Sequence, residues 1–331
     1  MNGWIILDKP LGMGSTQGVS WVKRALREAG FPKLRVGHGG TLDPLATGVL
    51  PIAIGEATKL AGRMLDASKV YDFTLTFGAE TDGLDAEGAV IATSDVRPTL
   101  AALEAVLPRF TGPIAQIPPA FSAIKIDGKR AYDLARAGKQ VEMKARNVEI
   151  YALYVRHPRE SGGPSPDRSV EGEGGEMDSR VRGNDEKGAN GGGENGNLQS
   201  ITLTAHVSKG TYIRSLARDI AHALGTVGHV TMLRRTKAGP FTLESAISLD
   251  ILDKHAKGRT LEDICLPLEA GLDDIPALTL IPDLARLIRQ GQVLDGIAAD
   301  NGLHCAWDEN GPVALVDVLD GEVRVVRGFN L

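Results

Sequence analysis

The sequence predicts an α+β fold, and three observations carry that prediction. Residues 69–78 alternate, with Tyr71, Phe73, Leu75 and Phe77 in step, which is the pattern of a strand with one buried face. Helical stripes stand elsewhere: Val19, Val22, Leu26 and Ala29 within 17–29, and Ile213, Leu216, Ala217, Ile220 and Leu224 in a helix opened by Arg214. Residues 273–331 read as a small β-rich tail with one helix at 283–290. At 331 residues the chain is too long for one average core, so one large domain or two are expected.

The elements follow in order. Residues 3–8 (Gly-Trp-Ile-Ile-Leu-Asp) form a short buried strand. Ser15 or Thr16 then caps the helix at 17–29, which Gly30 and Pro32 end. Gly37-His-Gly-Gly-Thr-Leu-Asp-Pro-Leu-Ala-Thr-Gly-Val-Leu-Pro51 holds four glycines and two prolines in fifteen residues, the density of a loop. Residues 56–66 are helical, and the strand at 69–78 follows. The turn Thr81–Gly88 carries Asp82, Asp85 and Glu87 but lacks the twelve-residue calcium loop ending in a bidentate Glu. Residues 99–109 give another helix. Segments 147–155 and 199–207 are strand-like. Between them, residues 157–198 are rich in Gly, Glu, Asp, Ser, Asn and Pro and nearly empty of large apolar side chains. Such a stretch cannot bury enough surface to offset its ordering entropy, so a disordered insertion at a hairpin tip is expected.

Composition narrows the function. Hydrophobic content of 42% and charged content of 24% are those of a soluble globular protein. No apolar run is long enough to span a membrane, and the N-terminus lacks the basic region and apolar stretch of a secretory signal. Cys265 and Cys305 are isolated, fitting neither a disulfide framework nor a metal site, which points to a reducing cytoplasm. The net charge of −5 argues mildly against a nucleic-acid partner. Its distribution argues the other way: residues 1–63 carry eight Lys/Arg against four Asp/Glu, and residues 206–239 six against one. Local potential, not net charge, governs phosphate binding.

One carboxylate stands out. Asp43 has no other acid within six residues and is flanked by Leu42, Pro44, Leu45 and Ala46. Partial desolvation and a fixed orientation suit a nucleophile or a general base. Asp-Pro is equally a common turn initiator, so the residues alone leave a capping role open. In 117–138, Lys125, Lys129, Arg130 and Arg136 interleave with Phe121 and Tyr132, a mixture suited to nucleic-acid backbone and bases.

Four motifs decide between these readings. The Gly37–Pro51 stretch resembles the signature loop of the TruB family of bacterial tRNA pseudouridine-55 synthases. So do Pro118-Pro-Ala-Phe-Ser-Ala-Ile-Lys125 with its continuation to Ala135-Arg136, Gly210-Thr-Tyr-Ile-Arg-Ser-Leu216, and Leu233-Arg-Arg-Thr-Lys-Ala-Gly-Pro-Phe241. Lys9-Pro10-Leu11-Gly12-Met13-Gly14-Ser15 is similar to the family's first motif, whose Lys-Pro pair supports the catalytic loop. The resemblance implies a mixed, largely antiparallel central sheet of the pseudouridine synthase type flanked by helices. It further implies a catalytic domain at 1–270 with a mobile thumb at about 117–145, and a PUA-like RNA-binding domain at 271–331. The forty-odd residues of 157–198 depart from the family, which has a short connection there.

The same resemblance assigns the site. Asp43 is the catalytic aspartate, Arg214 pairs with it, and Tyr71 stacks on the target base. His38 fills the stacking position that an extruded base leaves. Lys9, Lys125, Lys129, Arg130, Tyr132, Arg136, Arg234 and Arg235 are expected on the RNA. The implied reaction isomerises a uridine to pseudouridine at position 55 in the T-loop of tRNA by base flipping. It needs no cofactor and no metal, and the expected enzyme is monomeric and cytoplasmic, with the tRNA T-arm as its partner. Two rivals remain: a non-catalytic tRNA-binding or tRNA-folding protein, and a guide-RNA-dependent pseudouridylase subunit. The short acidic C-terminus argues against the second.

Overall fold

Strands Gly3–Lys9 and Ala46–Ile54 pair antiparallel along their whole length, from Gly3↔Ile54 to Lys9↔Gly48. Trp4, Ile5, Ile6 and Leu7 are fully buried, so this pair has apolar matter on both faces. Ile5 and Leu7 face helices Ser15–Glu28 and Leu249–Gly258, while Trp4 and Ile6 face the C-terminal part of the chain. The computed structural model describes residues 1–122, 124–126, 128–136, 143–156 and 196–331.

Around this pair a large sheet runs in the order Leu266–Pro267, Gly3–Lys9, Ala46–Ile54, Gly228–Ala238, Lys69–Phe77, Ser200–Val207, Arg146–Val155 and Gly112–Gln116. Val36–His38 adds to Ala46–Ile54, and Phe241–Thr242 adds to Gly228–Ala238. Among the described residues, one pairing in this sheet is parallel: Leu233–Arg235 lie beside Ala46–Gly48. The expected mixed, largely antiparallel sheet is therefore present. Helix Ile213–Ala223 covers the face formed by Phe73, Leu75, Leu203 and Ala205, burying Ile213, Leu216, Ala217 and Ile220 as its stripe predicts.

Several local expectations change. The helix expected at 17–29 starts at Ser15, and its N-cap is Gly14, whose N–H is taken by the Gln17 side chain at 2.7 Å. Ser15 is not a cap, because its hydroxyl is engaged elsewhere. Residues 56–66 divide into a 3₁₀ turn, Gly55–Leu60, and a helix, Ala61–Asp66. The loop read over 37–51 becomes strand from Ala46 onward. Glycine is needed at position 48 because its φ is +101° and a Cβ there would lie 2.2 Å from the Arg235 carbonyl oxygen. The glycine marks an approach of two strands as well as a turn.

The C-terminal part forms a four-stranded sheet, Ala277–Thr279, Gly302–Asp308, Gly311–Leu319 and Glu322–Gly328, with helix Pro282–Arg289 on one side. The other side is not free. Cys305, Leu315 and Phe329 join Trp4, Ile6, Val49 and Ala53 in one apolar cluster. The Lys59 ammonium donates to the Gly328 carbonyl at 2.8 Å, and the Asn330 N–H donates to Glu56 at 2.8 Å.

The insertion expected at 157–198 falls on residues 157–195 outside the described residues, but its far end belongs to the fold. Asn197 bridges Thr99, and Leu198 is buried and donates its N–H to the Pro98 carbonyl at 2.8 Å. Its boundary is corrected accordingly. Replacing residues 158–195 with a short Gly-Ser linker is expected to leave the melting temperature nearly unchanged. Leu198→Ala is expected to cost about 2–5 kcal/mol, the usual range for truncating a buried leucine. Thermal and urea unfolding of the two variants checks both outcomes.

Candidate active site

The site forms where the parallel joint of the sheet meets the loop at 39–45. That loop is held from below by two buried cations. Arg235 is 1% exposed and directs Nε to the Val49 carbonyl (2.8 Å), Nη1 to Thr41 (3.2 Å) and Nη2 to Gly40 (3.3 Å). Lys9 is fully buried, and its ammonium donates to the carbonyls of Met13 (2.7 Å), Pro10 (3.0 Å) and Pro44 (3.3 Å). Buried charges are tolerated when polar partners replace water, and here the partners are backbone oxygens of the loop and its supports. Gly39 packs flat on helix Ala61–Asp66, since a Cβ would come within 2.7 Å of the Met64 Cβ.

Asp43 projects from this loop with its side chain 45% exposed. Its Oδ2 meets Nη2 of Arg214 at 2.9 Å, and the arginine side chain is 7% exposed. The guanidinium does not spend its fork on one carboxylate. Nη1 donates to the Gly83 carbonyl (2.8 Å) and to Asp85 (3.0 Å), and Nη2 also donates to the Phe121 carbonyl (3.0 Å). One planar group thus ties together the Asp43 loop, the acidic turn at 81–88 and the base of the segment expected to act as thumb. Ser215 and Arg218 strengthen the last tie, donating to the Ile117 carbonyl at 2.8 and 3.2 Å.

Asp43, Tyr71, Lys69, Tyr212, Ser122, Leu233, Arg214 and Arg235 line one cleft of about 350 Å³. Tyr71, half-buried, joins both apolar cores beneath it. Burial pushes the Tyr212 phenol up. Burial pushes the Lys69 ammonium down to about 8, with Arg235 adding to the effect and Asp66 opposing it. Burial also lowers Lys9 to about 8, with Asp43 pulling it up and Arg235 pushing it down. A second hollow, of about 440 Å³, shares Asp43, Ser122 and Arg214 with the first and adds Phe121, Tyr132, Asp82, Asp85 and Glu87. Phe121 and Tyr132 meet there edge to face, with centroids 6.2 Å apart.

The expected site residues therefore separate into groups. Asp43, Tyr71 and Arg214 come together, and Tyr132 stands in the adjoining hollow. Lys9 and Arg235, expected on the RNA, are buried supports whose donors are committed to carbonyls. Arg234 alternates to the opposite face from Leu233 and Arg235 and grips Asp8 through two bonds, 2.8 and 3.1 Å. His38 ends strand Val36–His38, half-buried, with Nδ1 enclosed and unbonded. Burial, reinforced by Arg235, lowers its pKa and favours the neutral ring. Lys125, Lys129, Arg130 and Arg136 lie on a small hairpin and on helix Ala131–Arg136, and their side chains fall outside the described residues. Lys69, Tyr212 and Ser122 stand in the site without having been expected there, and Asp85, weighed only as a calcium ligand, pairs with Arg214 instead. Tyr212 could have been found from its place two residues before Arg214 in the same motif. No group of three or more potential metal-ligating side chains converges among the described residues.

Comparison with known proteins places the class first. A family model described as TruB family pseudouridylate synthase (N terminal domain) matches residues 23–165, the span that holds Asp43 and Tyr71. A second, described as tRNA pseudouridylate synthase B C-terminal domain, matches residues 214–273, beginning at Arg214. The class is that of pseudouridylate synthases, which are isomerases. A tRNA pseudouridine synthase B of Novosphingobium aromaticivorans is 58% identical over 100% of this chain and 98% of its own length. One from Zymomonas mobilis is 53% identical over 100% and 96%. The chain belongs to the TruB family. In fold it is similar to a chain of an H/ACA ribonucleoprotein bound to a substrate RNA containing 2′-deoxyuridine. The TM-score there is 0.68, with 22% identity and coverage of 99% of this chain and 85% of that one.

The divided fork of Arg214 makes Arg214→Lys a severe change despite the retained charge. An ammonium cannot span two carboxylates and two carbonyls in fixed directions. Turnover is expected to fall about a hundredfold through misplacement of Asp43. A lower melting temperature should accompany it as the 83 and 121 loops come untied. Single-turnover kinetics and thermal unfolding measure the two effects separately.

Proposed function

We propose that the chain isomerises a uridine of tRNA to pseudouridine at position 55 in the T-loop, acting alone, with Asp43 as the nucleophile. The observation that carries this reading is the half-exposed Asp43 carboxylate, oriented by a buried arginine at the mouth of a cleft lined by Tyr71. The identity with tRNA pseudouridine synthase B proteins along the full chain supports tRNA as the substrate.

The chemistry requires a nucleotide taken out of its stack, because the reacting atoms are inaccessible within a folded loop. The base enters the cleft and stacks on Tyr71. The neutral ring of His38 takes the place the base has left. The C1′–N1 bond breaks, the uracil turns over, and a C1′–C5 bond forms. C5 loses a proton and N1 gains one, so the reaction is redox-neutral. Attack of Asp43 at C1′, attack at C6 and passage through a glycal all start from the same oriented carboxylate. Lys125, Lys129, Arg130, Tyr132 and Arg136 bind the RNA stem-loop from the thumb, whereas Lys9 and Arg235 act through the loop they support.

In this reading residues 1–270 are the catalytic domain and the sheet at 271–331 is a PUA-like RNA-binding domain, in a monomeric cytoplasmic enzyme. The fold similarity to H/ACA ribonucleoprotein chains raises the guide-dependent alternative. That similarity concerns fold alone, at 22% identity.

Purified chain with a T-arm transcript tests the proposal directly. Pseudouridine is expected at position 55 without added RNA or protein. Asp43→Asn is expected to abolish its formation while tRNA binding persists, since the amide keeps the shape and loses the nucleophile. Substantial product from the Asn variant would sink the assignment of Asp43. Product that appears only with a guide RNA would favour the alternative.

A further inference from the structure

The segment between the first strand and the first helix grips the Asp43 loop on both sides of the carboxylate. On one side, the Pro44 carbonyl accepts from the Gly12 N–H at 2.9 Å and from the Lys9 ammonium at 3.3 Å. On the other side this segment grips through a single hydroxyl, beside Arg235, which holds the Thr41 carbonyl. Ser15 Oγ accepts the Leu42 N–H at 2.8 Å and donates to the Leu42 carbonyl at 3.0 Å. These groups belong to the two peptide planes that flank the Leu42 Cα, and the second plane contains the Asp43 nitrogen. Ser15 and Leu42 are each 4% exposed, so water does not substitute readily for the hydroxyl.

A serine hydroxyl has one donor and two acceptor positions, so it can satisfy both Leu42 groups at once. It is also spared from its own helix, because Gly14 occupies the N-cap and Gln17 completes it. We propose that Ser15 is a positioning residue for the isomerisation. It fixes the peptide plane that leads into Asp43, shares with Arg235 the plane before it, and thereby sets the direction of the carboxylate, without contacting the nucleotide. The proposal rests on Asp43 being the reacting group. Without the hydroxyl, both Leu42 groups lose a buried partner and the loop gains freedom at the residue that launches the Asp43 side chain. The RNA-facing surface is left untouched.

Ser15→Ala and Ser15→Cys test this, with Asp43→Asn run alongside. Single-turnover pseudouridine formation on a T-arm transcript, tRNA affinity and melting temperature are measured for each. A thiol has nearly the shape of the hydroxyl but is a weak donor and a weak acceptor. The rate is expected to fall about tenfold to a hundredfold in Ser15→Ala, in keeping with misplacement of a reacting group by up to about 1 Å. Ser15→Cys should be intermediate, and tRNA affinity should be unchanged in both. If the alanine variant fails to fold, the cysteine variant decides. A wild-type rate in Ser15→Cys, with Asp43→Asn inactive, would overturn the proposal. So would a fall in affinity that accounts for the fall in rate. An active Asp43→Asn enzyme would instead remove the functional reading, and this proposal with it.

Discussion

The site depends on backbone carbonyls serving as the counter-groups of buried cations. Lys9 and Arg235 between them engage the carbonyls of Pro10, Met13, Gly40, Thr41, Pro44 and Val49. Neither has a carboxylate of its own. A carbonyl carries only a partial charge, so several are needed to replace the hydration of one ammonium or guanidinium. That requirement folds the loop around the cations and gives a glycine-rich segment a defined shape. The arrangement lowers the proton affinity of Lys9, since desolvation exceeds the attraction of Asp43.

Arg214 solves a different problem. Asp43 is aimed by its partner and yet remains open to the cleft. A guanidinium spent wholly on Asp43 would cover it. Contacting one oxygen while committing its other donors to Gly83, Asp85 and Phe121 leaves almost half of the Asp43 side chain exposed. The orientation is then supplied by three segments far apart in sequence, each fixed by its own contacts. The arrangement is stiff because its members constrain one another.

Much of this architecture was legible in the sequence. Strand Lys69–Phe77 and the helix bearing Arg214 carry clean periodicities, and such patterns survive folding because burial of one face imposes them. The Asp43 loop was legible as a site because its motif is long. What the sequence hid were long-range relations. Gly48 looked like part of a loop because its requirement comes from the Arg235 backbone, 187 residues away. Lys9 and Arg235 looked like RNA contacts because charged side chains are almost never fully buried, and nothing local predicts the carbonyls that receive them. Ser15 looked like a helix cap because serine at a helix start usually is one, and its true partner, Leu42, lies across a turn and a helix.

The sharing of one apolar cluster by the first strand and the last residues constrains the order in which the protein can be built. Trp4 and Ile6 pack with Cys305, Leu315 and Phe329, and Asn330 is bonded to Glu56. On a ribosome, chains grow from the N-terminus at roughly 5–20 residues per second. The cluster on the inner face of the first strand, where Trp4 also meets Phe241 and Leu268, is therefore completed only when Cys305, Leu315 and Phe329 have emerged, tens of seconds after Trp4 itself. Until then the cluster lacks one wall, and the apolar side chains left open there are a surface that chaperones and other nascent chains can bind. A chain that stalls or is truncated before Phe329 keeps a built Asp43 loop beside an apolar face that is incompletely covered.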